Sequence, residues 1–130
     1  MPQPPLIAVV EDESSVCKAL ARLLRSAGLS AETYSSGEEF LQAMPGHAPD
    51  CLLLDLQLPG LDGLAVQSSV QQSGVKLPVV FITASESMEV RAQALQTGAV
   101  AWLRKPVNDQ ALLETIRLAL SQENLAGTDY

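Results

Sequence analysis

Positive charge is scarce in this sequence: 8 Lys and Arg stand against 15 Asp and Glu, a net charge of −7 and a pI near 4.5. A surface of that sign repels a phosphate backbone, which weighs against nucleic-acid binding by this chain itself. Cysteine is nearly absent. Cys17 falls within a helical pattern and Cys51 heads a leucine run, so both read as buried, reduced thiols, which fits a reducing compartment and no disulfide scaffold. Long apolar runs are missing too. Met1 to Pro5 carries no basic residue and leads into only five apolar ones, Leu6 to Val10, so neither a signal peptide nor a membrane span is expected, and a cytoplasmic location is. The one histidine, His47, lies in the loop-like Pro45-Gly-His-Ala-Pro49 and is expected to serve neither a metal nor phosphotransfer.

What is present suits one globular domain. The 130 residues are 47% apolar and 18% charged, and a chain of this size buries roughly two thirds of its unfolded surface without staples. Apolar runs recur at Leu6–Val10, Cys51–Asp55, Pro78–Ile82 and Ala99–Leu103, with a weaker one at Ala31–Tyr34. Runs without alternation are what strands covered on both faces look like. Helical spacing fills the gaps, clearest in Val16, Leu20, Leu23, Leu24 and Ala27, opposite Lys18, Arg22 and Arg25. Gly28 reads as a helix stop, Ser36-Gly-Glu-Glu39 as a capping box, and Ser85 and Asn108 as N-caps. Leu112, Leu113, Ile116 and Leu120 share one face of a last helix, whereas 64–73 and 86–96 are only weakly amphipathic. Five strand–helix repeats with right-handed crossovers predict an α/β domain, a doubly wound parallel sheet with helices on both faces.

Chemistry in such sheets collects beyond the carboxyl ends of the strands. The apolar runs end in Glu11-Asp12-Glu13, Asp55, Thr83-Ala84 and Arg104-Lys105-Pro106. Each has an ordinary explanation alone: acidic residues favour a helix N-terminus, Asp and Thr cap helices, and a lysine is usually a solvated charge. Four such coincidences at equivalent places argue for a site. Glu11, Asp12 and Asp55 at neighbouring strand ends repel one another and call for a cation. Oxygen ligands without His or Cys suit Mg²⁺ rather than zinc. A carboxylate beside a divalent cation and Lys105 can receive a phosphoryl group as nucleophile, forming an acyl phosphate.

Other classes fit less well. A nucleotide or flavin site needs glycines and hydroxyls after the first strand, where Glu11-Asp12-Glu13 would repel phosphate. A phosphatase of the haloacid dehalogenase type needs an acidic residue two positions after its aspartyl nucleophile, and position 57 is Gln. A pure interaction module, binding a partner without phosphorylation, would have no use for the acidic residues, hydroxyl and lysine gathered at one sheet edge.

Residues 6–120 resemble the receiver domain of bacterial two-component response regulators, and most closely the FixJ-like group. The resemblance rests on Glu11-Asp12, on Leu54-Asp-Leu-Gln-Leu-Pro-Gly-Leu-Asp-Gly63, on Ile82-Thr83-Ala84 and on Lys105-Pro106. It implies a flavodoxin-like (βα)5 sheet in strand order 2-1-3-4-5, with residues 1–5 as an N-terminal extension and 121–130 as a tail or the start of a linker. It also implies phosphorylation of Asp55 by a sensor histidine kinase, with Mg²⁺ held by Glu11, Asp12, Asp55 and the backbone carbonyl of Gln57. Thr83 would be the switch hydroxyl and Lys105 the phosphoryl contact, across a cis Lys105-Pro106 peptide. Trp102 stands where the family usually has the Tyr, Phe or His that reorients with the signal. Many relatives have Asp-Asp where this chain has Glu11-Asp12, so Glu11 could reach the metal through water. Such a chain is a regulator rather than an enzyme. Its expected output is transcription through a separate DNA-binding domain, with a phosphorylation-dependent homodimer formed through the fourth helix and fifth strand. Excess apolar residues in that helix, Met88, Val90, Ala92 and Leu95, support an exposed face there. Gln57 and Ser85 flank the site and would tune water access to it.

Overall fold

A computed structural model describes residues 3–85 and 87–121. Five strands alternate with five helices: β1 Leu6–Val10, α1 Ser14–Ser26, β2 Ser30–Tyr34, α2 Gly37–Ala43, β3 Cys51–Asp55, α3 Gly63–Gln72, β4 Val79–Thr83, α4 Met88–Gln96, β5 Ala101–Arg104 and α5 Asp109–Leu120. All strand pairs are parallel, in the order β2-β1-β3-β4-β5, as expected. Three runs shift at their ends, the weaker one starting a residue earlier, at Ser30. Thr83 closes β4 while Pro78, with no N–H to offer a ladder, stays outside. Ala99 and Val100 precede β5 rather than belong to it. The 1–5 and 121–130 segments proposed as extension and tail fall partly outside the described residues, at 1–2 and 122–130.

The period-2 alternation of each strand divides the core between two faces. Ile7, Val9, Leu53, Val80 and Ile82 pack with Leu20 and Leu24 of α1 and Leu112 and Ile116 of α5. Ala8, Val10, Leu52, Leu54, Val79 and Phe81 pack with Phe40 of α2, Val66 and Val70 of α3 and Ala94 of α4. The unbroken burial of β3 and β4 is why their sequences show no polar alternation.

Helix ends follow local chemistry. Gly28 takes φ +85°, and the N–H of Leu29 bonds the carbonyl of Leu24, closing α1 in the left-handed turn that glycine permits. Ser36 accepts the N–H of Glu39 as a cap, but the Glu39 carboxylate accepts from the Ser35 hydroxyl, an alternative to the return bond of a capping box. Asn108 caps α5. Ser85 is not the cap of α4: that position is Ser87, whose hydroxyl accepts from Val90 N–H. The Ser85 hydroxyl accepts from Ser87 N–H instead, one turn before the helix. His47 pairs with Glu32 at 2.6 Å on the surface, away from the strand ends.

Both thiols are buried and free of disulfides. Burial pushes the Cys51 thiol up from 9.0 to about 12, and burial with nearby Glu11 and Asp12 raises Cys17. An unfolded thiol then loses its proton at a pH where the native one keeps it, so the unfolded state binds fewer protons and stability falls as pH rises past 9.0. Cys51 is expected to cost about 1.4 kcal/mol per pH unit in that range. Urea unfolding compared at about pH 8 and about pH 10 should show the drop, and Cys51→Val should lessen it, leaving the part that Cys17 contributes. A wild-type midpoint that does not move would refute the assignment.

Candidate functional site

The parallel sheet brings the carboxyl ends of β1, β3, β4 and β5 to one edge, and the expected residues meet there. Glu11 follows β1, 1% exposed, and Asp55 ends β3, 3% exposed. Asp12 is exposed beside them. One carboxylate oxygen from each of Glu11, Asp12 and Asp55 lies within 4.8 Å of the others. Lys105 reaches back from beyond β5, its Nζ bonding Glu11 Oε1 and, at 3.1 Å, Asp55 Oδ2. The cis Lys105-Pro106 peptide is present as expected.

Hydrogen bonds from the backbone fix the acidic groups. Asp55 Oδ1 accepts from Gln57 N–H at 2.9 Å, and Glu11 Oε2 accepts from Glu13 N–H at 3.1 Å. Thr83, fully buried, receives Lys105 N–H on its carbonyl at 2.8 Å. Its hydroxyl oxygen receives Ser85 N–H at 3.0 Å, which leaves the hydroxyl proton available for donation. Burial opposes the charge on Lys105, but its bonds to Glu11 and Asp55 and their negative charge outweigh this and hold its pKa above the ordinary 10.5.

Three carboxylates against one ammonium leave the cluster a formal charge of −2. Two of the carboxylates are nearly inaccessible to water, so the remaining charge is poorly solvated, and a divalent cation with a preference for hard oxygen fits both charge and donor set. Gln57, the proposed carbonyl donor, lies on the exposed side of Asp55.

Trp102 pairs with Phe81 in the β4–β5 register. It packs, half-buried, against the α2–α4 face of the core. Alternation places Thr83 on that same face, one pleat beyond Phe81. Of the four apolar residues read as excess in α4, Met88 is 74% and Leu95 43% exposed and Ala92 is exposed too, whereas Val90 packs partly against the core.

The sequence reading missed two neighbours of the site. Cys17 Sγ donates to the Glu11 carbonyl at 3.0 Å, a contact that only the i+6 approach of α1 to β1 creates. Gly63 leaves room for backbone: a Cβ there would sit 2.5 Å from the Asp55 carbonyl oxygen and 2.7 Å from Leu56 Cα. Its place in the motif around Asp55 was visible, whereas the reason for it was not.

A family model described as the response regulator receiver domain matches residues 7–117. The response regulator protein TodT of Pseudomonas putida F1 is 36% identical over 115 residues, 88% of this chain and 51% of TodT. The DNA-binding transcriptional regulator NtrC of Escherichia coli K12 is 36% identical over 116 residues, 89% of this chain and 25% of NtrC. The chain thus spans about half the length, or less, of these curated relatives. A crystal structure of a response regulator receiver protein from Burkholderia phymatum is similar with a TM-score of 0.81 and 46% identity, covering 90% of this chain and 95% of that one.

Proposed function

The chain belongs to the response regulator receiver domain family, and from that premise we propose that it accepts a phosphoryl group on Asp55 from a sensor histidine kinase and passes the change to an output. One observation carries this reading: a nearly buried Asp55 carboxylate is held between Gln57 N–H and Lys105 with Glu11 and Asp12 within 4.8 Å. Asp12, Asp55, Glu11 directly or through water, and the Gln57 carbonyl would hold Mg²⁺. The ion, when bound, would neutralise charge on the phosphoryl oxygens.

The chain's own groups account for the rest. An Asp55 oxygen attacks phosphorus as the bond from phosphorus to the donor's imidazole nitrogen breaks, and the pair of electrons leaves with that nitrogen. Lys105 stays beside the carboxylate and offsets charge on the transferred group. Exposed Gln57 and half-buried Ser85 border the approach of the water that later removes it. This turnover serves signalling, and the chain is a regulator rather than a metabolic enzyme. Among the described residues no helix is long and apolar enough to cross a membrane, which accords with a cytoplasmic role. The relative NtrC, a DNA-binding transcriptional regulator, favours transcription as the output, through a DNA-binding domain outside this chain. Exposed Met88 and Leu95 favour a phosphorylation-dependent homodimer through α4 and β5.

Incubation with acetyl phosphate and Mg²⁺ should add one phosphoryl group, seen by intact mass and mapped to the peptide holding Asp55. Equal labelling in excess chelator, or on a different peptide, would sink the proposal.

The switch is carried by Thr83. A phosphoryl oxygen on Asp55 draws the Thr83 hydroxyl inward by a charge-assisted hydrogen bond, and space opens on the face that Trp102 already half fills. Emission of Trp102, the sole tryptophan, is expected to shift on adding Mg²⁺ and beryllofluoride, and to shift much less in Thr83→Ala. The same response in both chains would disconnect Thr83 from Trp102.

A further inference from the structure

Helix α4 is fastened at its ends by polar contacts and only lightly along its length. Ala94 is its one buried residue, and Val90 packs partly, so apolar burial contributes little to where the helix lies. At the first end runs a row of hydroxyls. Thr83 Oγ1 accepts from Ser85 N–H, Ser85 Oγ from Ser87 N–H at 3.1 Å, and Ser87 Oγ from Val90 N–H at 3.2 Å.

At the other end the Thr97 carbonyl, one of those that a helix leaves without an internal partner, accepts from Gln67 Nε2 at 3.1 Å and from Gln71 Nε2. Gly98 follows at φ +89°, and the Gln71 amide lies so close that a Cβ at 98 would meet it at 3.2 Å. Gln67 is 3% exposed, and its Oε1 is a buried oxygen without a partner among the described residues. Turning the amide over would set Oε1 against the Thr97 oxygen, so the bond to Thr97 itself leaves Oε1 unmet. An apolar side chain of similar size would fill the space without that cost. What the glutamine adds is direction: it holds the end of α4 at one point on α3.

We propose that Gln67 is a positioning residue that makes the Thr97 end of α4 a hinge, so that displacement of the Thr83 hydroxyl moves the Met88 end through Ser85 and Ser87. The hinge stands on the contacts at Thr97, whereas the direction of the motion rests on the phosphoacceptor reading.

Residue-resolved amide exchange on the whole chain separates the two. Without ligand, Gln67→Leu should speed exchange of the Thr97 and Gly98 N–H groups about tenfold, the equivalent of one lost hydrogen bond, while Val90 and the sheet keep their rates. Gln71→Ala, at an exposed position, should do the same and guards against a Gln67 variant that folds poorly. Unchanged rates at Thr97 and Gly98 in both variants, or equal acceleration at Val90, overturn the hinge. With Mg²⁺ and beryllofluoride, wild type should change at Val90 and not at Thr97 and Gly98, while Gln67→Leu should change at both ends. Bound beryllofluoride that alters both ends of wild type alike also overturns it. Beryllofluoride that does not bind overturns the phosphoacceptor reading instead, and the ligand-free rates still decide the hinge.

Discussion

Asp55→Asn is expected to abolish phosphoryl incorporation from acetyl phosphate, lowering it by orders of magnitude to background, as removal of a nucleophile does. The site has two other carboxylates, yet neither substitutes. Glu11 is buried against Lys105 and bonded by Glu13 N–H, and Asp12 lies on the exposed side of the cluster. The amide also removes one of the three negative charges that invite a divalent cation, so Mg²⁺ affinity should fall with the label. Folding should survive, because an Asn oxygen can still accept from Gln57 N–H. The matched control is Asp62→Asn. Asp62 is exposed and caps α3 by accepting from Ala65 N–H at 2.9 Å, a role that Asn fills equally well, so labelling there should match wild type. Mass spectrometry of the three chains decides the point, and an undiminished label in Asp55→Asn would place the phosphoacceptor elsewhere.

Gly63→Ala is expected to be the most damaging single-methyl change near the site, costing on the order of 3 kcal/mol, the upper part of the range for overpacking. Its obstacles are the Asp55 carbonyl oxygen and Leu56 Cα, backbone atoms that no rotamer change can move. Gly63 N–H also bonds the Leu56 carbonyl at 3.1 Å, so α3 starts directly against the segment that carries Asp55. A methyl there must push α3 off β3 or displace Asp55 from Lys105. Stability and labelling rate should therefore fall together. Gly46→Ala separates crowding from backbone strain. Gly46 takes φ +84° but has nothing near its missing Cβ, so only the left-handed penalty of about 1–2 kcal/mol applies, and labelling should stay intact. Urea unfolding and initial labelling rates measure both. A Gly63→Ala chain as stable as wild type would show that the close approach is not what this position requires.

The readable parts of the chain were those governed by local pattern. Leu6–Val10 and Cys51–Asp55 are strands at the residues where unbroken apolar runs placed them, because strands covered on both faces have no polar side to interrupt the run. The stop at Gly28 and the caps at Ser36 and Asn108 needed only a residue and its nearest neighbours. α4 was harder to read. With Ala94 alone buried it has no stripe to mark its face, and its cap is Ser87 rather than Ser85, whose hydroxyl accepts from Ser87 N–H before the helix begins.

By itself the sequence determined which groups stand at the ends of the strands, since Glu11, Asp12, Asp55, Thr83 and Lys105 each follow an apolar run that must become a buried strand. It thereby determined the fold class and the acidic, oxygen-rich character of the site. The tertiary structure decided how those groups share charge. Lys105 lies 94 positions from Glu11 and 50 from Asp55, and only the β2-β1-β3-β4-β5 order brings its ammonium between them. It also decided that Gly63 must leave room for the Asp55 backbone and that Gln67 must meet Thr97, 30 positions away. The physical reason is one of range: burial period and capping act over a few neighbouring residues, whereas charge pairing and close packing depend on which distant segments the sheet sets side by side.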